Sequence, residues 1–161
     1  MRRRKSLITA LLGLALSVSG ATPAEARQIR RGPFGLGIVL GEPTGFTAKV
    51  FFSNPSAIQF HLGYGIGKKG KLLIATDYLY HFHAAIPPIA DAGWLSPYVG
   101  VGGRLGFGEG KAVVGLRIPL GLSFQISGAP VEIFLEVAPG VGFLPETDLI
   151  VDGGLGARWY F

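Results

Sequence analysis

A chain of 161 residues has room for one domain, and the absence of cysteine excludes disulfide frameworks and thiol chemistry. Charged residues are only 16% of the chain and glycine fills 26 positions, whereas soluble domains run at about 25% and about 7%. The formal charge of +5 is concentrated in the first few residues, so it gives no argument for nucleic acid as a partner.

Those first residues have a pattern of their own. Arg2, Arg3, Arg4 and Lys5 are followed by an apolar run from Leu7 to Val18, then by Ala24-Glu25-Ala26. This order predicts a secretory signal over 1–26, cut before Arg27. The apolar run is too short for a membrane-spanning helix, which needs about 20 residues. Cleavage leaves eleven basic and nine acidic residues. Residues 27–33 then form a short tail carrying Arg27, Arg30 and Arg31, expected in the periplasm.

From residue 34 the chain alternates by twos, the period of a strand whose successive side chains point to opposite faces. Phe34, Leu36, Ile38 and Leu40 oppose Gly35, Gly37 and Val39. Ile58, Phe60, Leu62 and Tyr64 oppose Gln59, His61 and Gly63. Between 111 and 126 every even position is apolar, while Lys111, Gly115, Arg117, Gly121, Ser123 and Gln125 share the other face. Val131, Ile133, Leu135 and Val137 oppose Glu132, Phe134, Glu136 and Ala138. The last segment sets Val151, Leu155, Ala157, Trp159 and Phe161 against Asp152, Gly154, Gly156, Arg158 and Tyr160.

Turn signals divide the chain: Glu42-Pro43-Thr44-Gly45 (a type I pattern), Asn54-Pro55-Ser56, Gly67 to Gly70, Gly108-Glu109-Gly110, Ser127 to Pro130 and Pro145 to Asp148. The longest connection is 84–93, AAIPPIADAG. Eight strands result: 34–41, 45–52, 57–66, 71–83, 94–107, 111–126, 131–143 and 149–161. Strand parity puts 84–93 on the periplasmic side. Pro119 and Pro139 fall inside strands, where each removes a ladder donor, so bulges are expected near both.

The orientation follows from what glycine can cover. With the apolar face inward, the water-facing wall would be mostly glycine, a poor strand surface. With the apolar face outward, lipid covers it, and glycines line a lumen that is narrow at eight strands. The sequence therefore predicts an all-β protein: an eight-stranded antiparallel up-and-down transmembrane β-barrel over 34–161. Aromatics sort to two heights, with Phe34, Phe52, Phe82, Trp94, Phe124, Trp159 and Phe161 near the chain ends. Phe46, Tyr64, Phe107 and Phe143 sit at the opposite rim, as two interfacial belts would require.

The inward positions carry Lys49, Arg104, Arg117 and Arg158 against Asp77, Glu132, Glu136 and Asp152. Isolated charges there would be costly, so the balance predicts an ion-paired network that plugs the lumen. Counting from the turns brings Glu136 close to Arg158, and puts Lys49, His61 and Asp77 on neighbouring strands. His61, and His81 with His83, read as hydrogen-bonded histidines rather than metal ligands, because a third ligand is not evident. No metal and no cofactor is expected. His61, Asp77 and Ser123 show neither a nucleophile turn nor an oxyanion site, so no catalysis is expected. Lys68, Lys69 and Lys71 form a tip outside the cell that would meet lipopolysaccharide phosphates or simply stay solvated.

The ending "ARWYF" resembles the sorting signal of bacterial outer-membrane barrels. That resemblance implies that Trp159, Tyr160 and Phe161 are read by the barrel assembly machinery, and that the destination is the outer membrane. The chain from 27 onward resembles the small eight-stranded class that includes the OmpA transmembrane domain and OmpX. "GLGIVLGEPTGFTAKVFF", "LRIPLGLSF" and "VEIFLEVAPGVGFLPETDL" are similar to a family of small outer-membrane barrels of unassigned function. The candidate outer loops are shorter than in the OmpX-like class, which argues against adhesive roles. The expected protein is a monomeric, multi-pass outer-membrane barrel, in contact with membrane lipids, with a structural or interaction role. A narrow proton or small-ion channel and a lipid-modifying enzyme are the alternatives.

Overall fold

The computed structural model describes residues 32–65, 72–108, 111–144 and 147–161. The signal segment, most of the tail, and Lys68, Lys69 and Lys71 lie outside the described residues. Strands account for nearly everything else: β1 (Phe34–Glu42), β2 (Thr44–Phe51), β3 (Ser56–Tyr64), β4 (Leu72–His81), β5 (Gly93–Gly108), β6 (Lys111–Arg117), β7 (Leu120–Ile126), β8 (Val131–Leu144) and β9 (Asp148–Tyr160). All pairings are antiparallel; β1 to β5 each lie beside their sequence neighbours, β6 and β7 both run between β5 and β8, β8 pairs with β9, and β9 returns to pair with β1. The sheet is therefore closed, which removes both edges that an open sheet would expose.

Nine strands make a ring of eight. β6 and β7 lie end to end between β5 and β8, interrupted only at Ile118 and Pro119. They are the two halves of the strand expected over 111–126. The bulge expected at Pro119 is absent. Gly102 pairs with Arg117 before the gap and Val99 with Leu120 after it, so the register is unbroken. Pro139 also keeps its place, opposite Val151. Each proline carbonyl still accepts a ladder bond, from Gly100 and from Ile118. Only the missing N–H is lost, and no extra residue is needed to accommodate that. The register shift falls instead between Val114 and Gly115, which pair with Leu144 and Gly142. Phe143 is the extra residue, and Phe143 and Leu144 both point outward, as a bulge allows.

The ring is staggered. From Glu42 at the end of β1, paired residues run through Gly153, Val137, Leu120, Val99 and Tyr80 to Ser56 at the start of β3. A row of partners thus descends from one rim to the other, the tilt that closes a sheet into a barrel.

The first turn is centred one residue earlier than the type I pattern suggests. The Thr44 hydroxyl donates to the Gly41 carbonyl and accepts from the Gly41 N–H. The peptide between Glu42 and Pro43 is cis. The long connection after β4 lies at the rim that carries both ends of the barrel. It is tied there by Ser127 N–H donating to the Ala92 carbonyl, beside Gly128, whose φ of 77° suits a glycine turn.

The alternation expected from the sequence is present on every strand. Along β8, Glu132, Phe134, Glu136 and Ala138 are buried, while Ile133, Leu135 and Val137 are exposed. Leu135 is 54% exposed and its neighbour Glu136 only 4%. A water-soluble domain would reverse those two numbers. The outer wall is Leu36, Ile38, Leu62, Leu116, Leu135, Val151 and residues like them. Every aromatic of the two expected belts is exposed or half-buried on that wall. The apolar interior is small; Phe51, Ala57 and Tyr160 form a buried cluster at the rim of the chain ends.

Candidate functional site

The interior of the ring is polar. All eight charged residues expected to face inward do so, each nine-tenths buried or more. They form two clusters at different heights, and every carboxylate has a cationic partner.

The cluster nearer the β8–β9 turn is built on Arg117. Its Nε donates to Asp77 Oδ1 at 2.8 Å and its Nη2 to Asp77 Oδ2 at 2.7 Å, a bidentate fork. The same Nη2 donates to Glu136 Oε1 at 2.8 Å, and Nη1 to Asp152 Oδ2 at 3.2 Å. Arg104 binds the other oxygen of Asp152. Tyr98 donates its hydroxyl to Glu136 Oε2 at 2.9 Å. Two guanidinium groups therefore face three carboxylates.

The cluster nearer the chain ends is built on Glu132. Its Oε1 accepts from Lys49 Nζ at 2.7 Å and from Arg158 Nη1 at 2.8 Å, and its Oε2 accepts from Tyr160 OH at 2.6 Å. Arg158 also donates to Thr47 Oγ1 and lies over the Phe134 ring, 3.7 Å from its centroid. Lys49 Nζ is 3.2 Å from His81 Nε2. Here two cations face one carboxylate.

Gln59 joins the two clusters. Its Oε1 accepts from Arg158 Nη2 at 2.6 Å, while its Nε2 donates to Glu136 Oε2 at 2.8 Å and to Asp77 Oδ2 at 3.3 Å. The amide thus turns its negative end to the cluster with excess positive charge and its positive end to the other. A neutral side chain couples two oppositely unbalanced groups, so the network is continuous along the lumen.

Several expectations change. Arg158 pairs with Glu132, which is its registered neighbour, and not with Glu136, which stands opposite Gly154. The registered row across β2, β3 and β4 is Lys49, Gln59 and Asp77, with His61 one step along on the same face. His83 is hydrogen-bonded as expected, its Nε2 donating to the Asn54 carbonyl and its Nδ1 lying 2.8 Å from Ser96 Oγ. Its ring stacks on His81. His61 departs from the expectation: it is buried, and neither ring nitrogen has a hydrogen-bond partner. Ser123 donates to the Ser96 carbonyl, so it does not line up with His61 and Asp77.

Residues that sequence reasoning passed over are Gln59, Thr47 and Tyr98. All three share the inward parity of the charged set, which was the available signal. They carry no formal charge, so a balance of charges did not select them. Tyr160 was assigned to the lumen face but not to Glu132.

Comparison with known proteins bears on the architecture. The chain is similar to the crystal structure of the N-terminal β-barrel domain of Pseudomonas aeruginosa OprF. The TM-score is 0.61 at 16% identity, over 81% of this chain and 98% of that one. At this identity the likeness establishes the barrel fold. No family model matches the chain, and no curated protein matches it.

Proposed function

We propose that this protein is an integral outer-membrane β-barrel, exported by residues 1–26, whose plugged interior serves a structural or interaction role without catalysis. One observation carries the reading: the side chains that avoid water are outside and those that seek it are inside. Burial of apolar surface is worth about 25 cal/mol per Å², so an unbroken apolar wall needs a cover. The hydrocarbon of a bilayer is that cover, and a closed ring exposes no open sheet edge within it. Two rims of aromatic side chains support the same placement. Membrane lipids are then the partners around the waist, and a single chain suffices because the ring closes on itself. The lysine tip at 68–71 would face the lipopolysaccharide side.

The network supports a plug rather than a pore. Its donors and acceptors reach across the lumen from β2 to β8, from β3 to β9 and from β4 to β6. Those bonds occupy the path that an ion would take.

The experiment is refolding of the mature chain into lipid vesicles, followed by transfer to planar bilayers. A β-type circular dichroism spectrum with altered gel mobility on heating, and no steady conductance, is the expected result. A soluble monomer without detergent would overturn the membrane assignment, and steady openings would overturn the plug.

A further inference from the structure

We infer that His61, Asp77 and Glu136 form a binding site for a divalent transition-metal ion of the zinc type. One ligand atom from each lies within 4.8 Å of the others. They come from β3, β4 and β8, so the set spans the lumen rather than one strand.

The independent observation is His61. The residue is 3% exposed, and neither Nδ1 nor Nε2 makes a hydrogen bond. Buried polar groups nearly always have a partner, so this one marks a place where a partner is expected. Its Nε2 stands 3.6 Å from Glu136 Oε1, too far for a hydrogen bond and suited to two ligands of a common ion. One imidazole nitrogen and two carboxylate oxygens are a donor set for zinc and its neighbours, whereas magnesium and calcium take oxygen alone.

Charge favours a cation at this height. Asp77, Glu136 and Asp152 outnumber Arg104 and Arg117 by one, while the Glu132 cluster has the opposite excess. Asp77 Oδ1 and Glu136 Oε1 each accept a single hydrogen bond, both from Arg117, and a carboxylate oxygen has a second lone pair. Arg117 is therefore the competitor. An ion held by these two oxygens displaces Arg117 Nε from Asp77 and Nη2 from Glu136, and the Nη1 contact with Asp152 retains the guanidinium nearby. Arg104, with a tenth of its side chain exposed, is the most exposed charged side chain of the cluster.

The test uses the mature chain refolded in detergent micelles and titrated with zinc chloride or magnesium chloride in a calorimeter. The wild type is expected to take one zinc ion per chain and to unfold at a higher temperature, with no response to magnesium. His61→Leu keeps an apolar volume beside Phe134 and should weaken zinc binding roughly tenfold or more. His83→Ala, at the other rim, should bind as the wild type does. Failure of the wild type to saturate with zinc, or wild-type affinity in His61→Leu, overturns the site. If His61→Leu does not fold, nitrogen NMR of the wild type decides: zinc must shift the His61 ring resonances, and unshifted resonances overturn the proposal.

Discussion

Gln59 on β3 and Arg158 on β9 meet across the barrel interior, Nη2 donating to Oε1 at 2.6 Å. They are the only direct hydrogen-bonded link between the Arg117 and Glu132 clusters among the described residues, because the other arm of Gln59 reaches Asp77 and Glu136. Gln59→Leu keeps the approximate volume and removes all three bonds. Arg158, Asp77 and Glu136 each lose one partner but keep others, so the cost is that of unmade buried bonds, about 2–4 kcal/mol in sum. Urea unfolding in lipid vesicles reads this directly. A loss below about 0.5 kcal/mol would mean that the clusters do not depend on each other.

Among the described residues the Glu132 carboxylate is the sole acidic partner of Lys49 and Arg158. Glu132→Ala leaves two buried cations without it, and breaking a buried pair in this way costs about 3–5 kcal/mol. Glu132→Gln keeps an oxygen acceptor and should cost less. Adding Lys49→Met to Glu132→Gln removes one excess cation and should recover part of the loss. That recovery, measured as a double-mutant cycle by the same unfolding experiment, isolates the charge from the packing.

Much of this was legible in the sequence for one reason: a barrel wall one strand thick makes parity equivalent to location. Leu135 and Glu136 need only their positions in the alternation to be assigned to opposite faces. The same rule put Asp77, Arg117 and Asp152 inside before any pairing was known. Partners were harder. Glu132 and Glu136 share a face, and the choice between them for Arg158 rests on the strand offset, which the turn at 145–148 sets and the alternation does not. The prolines misled for a related reason. Pro119 and Pro139 each lack a donor, but the ladder tolerates a missing bond without a change of register. The actual bulge at Phe143 carries no mark in composition, since Phe143 and Leu144 are both apolar. Gln59 was invisible to charge counting although its parity was correct.

Lipid contact predicts a dependence on depth. Leu135 pairs with Leu122 and Leu155 near the middle of the wall, whereas Leu149 lies at the rim beside the β8–β9 turn and is 75% exposed. Leu135→Arg should cost about 2–4 kcal/mol in vesicles, and Leu149→Arg between about 0 and 1 kcal/mol. In water both sites are equally able to carry an arginine. Equal effects at the two positions would therefore argue against a bilayer around the barrel.

Gly156 tests how closely the interior is packed. A Cβ built on it would run into the ring of Phe134 and the carbonyl oxygen of Ile38. Phe134 in turn supports the Arg158 guanidinium from below, so movement of the ring disturbs the Glu132 cluster. Gly156→Ala should then cost about 1–3 kcal/mol through overpacking, although alanine is ordinarily the better residue in a strand. Phe134→Leu on its own opens space and removes the cation–π contact, and is destabilising too. Combined, the two should cost less than their sum, because leucine yields the volume that the new methyl needs. The rescue is partial, since the Ile38 carbonyl belongs to the backbone of β1 and cannot withdraw without breaking its pairing with β9. Unfolding free energies of the three variants measure this coupling. Simple additivity would show that Phe134 does not press on β9.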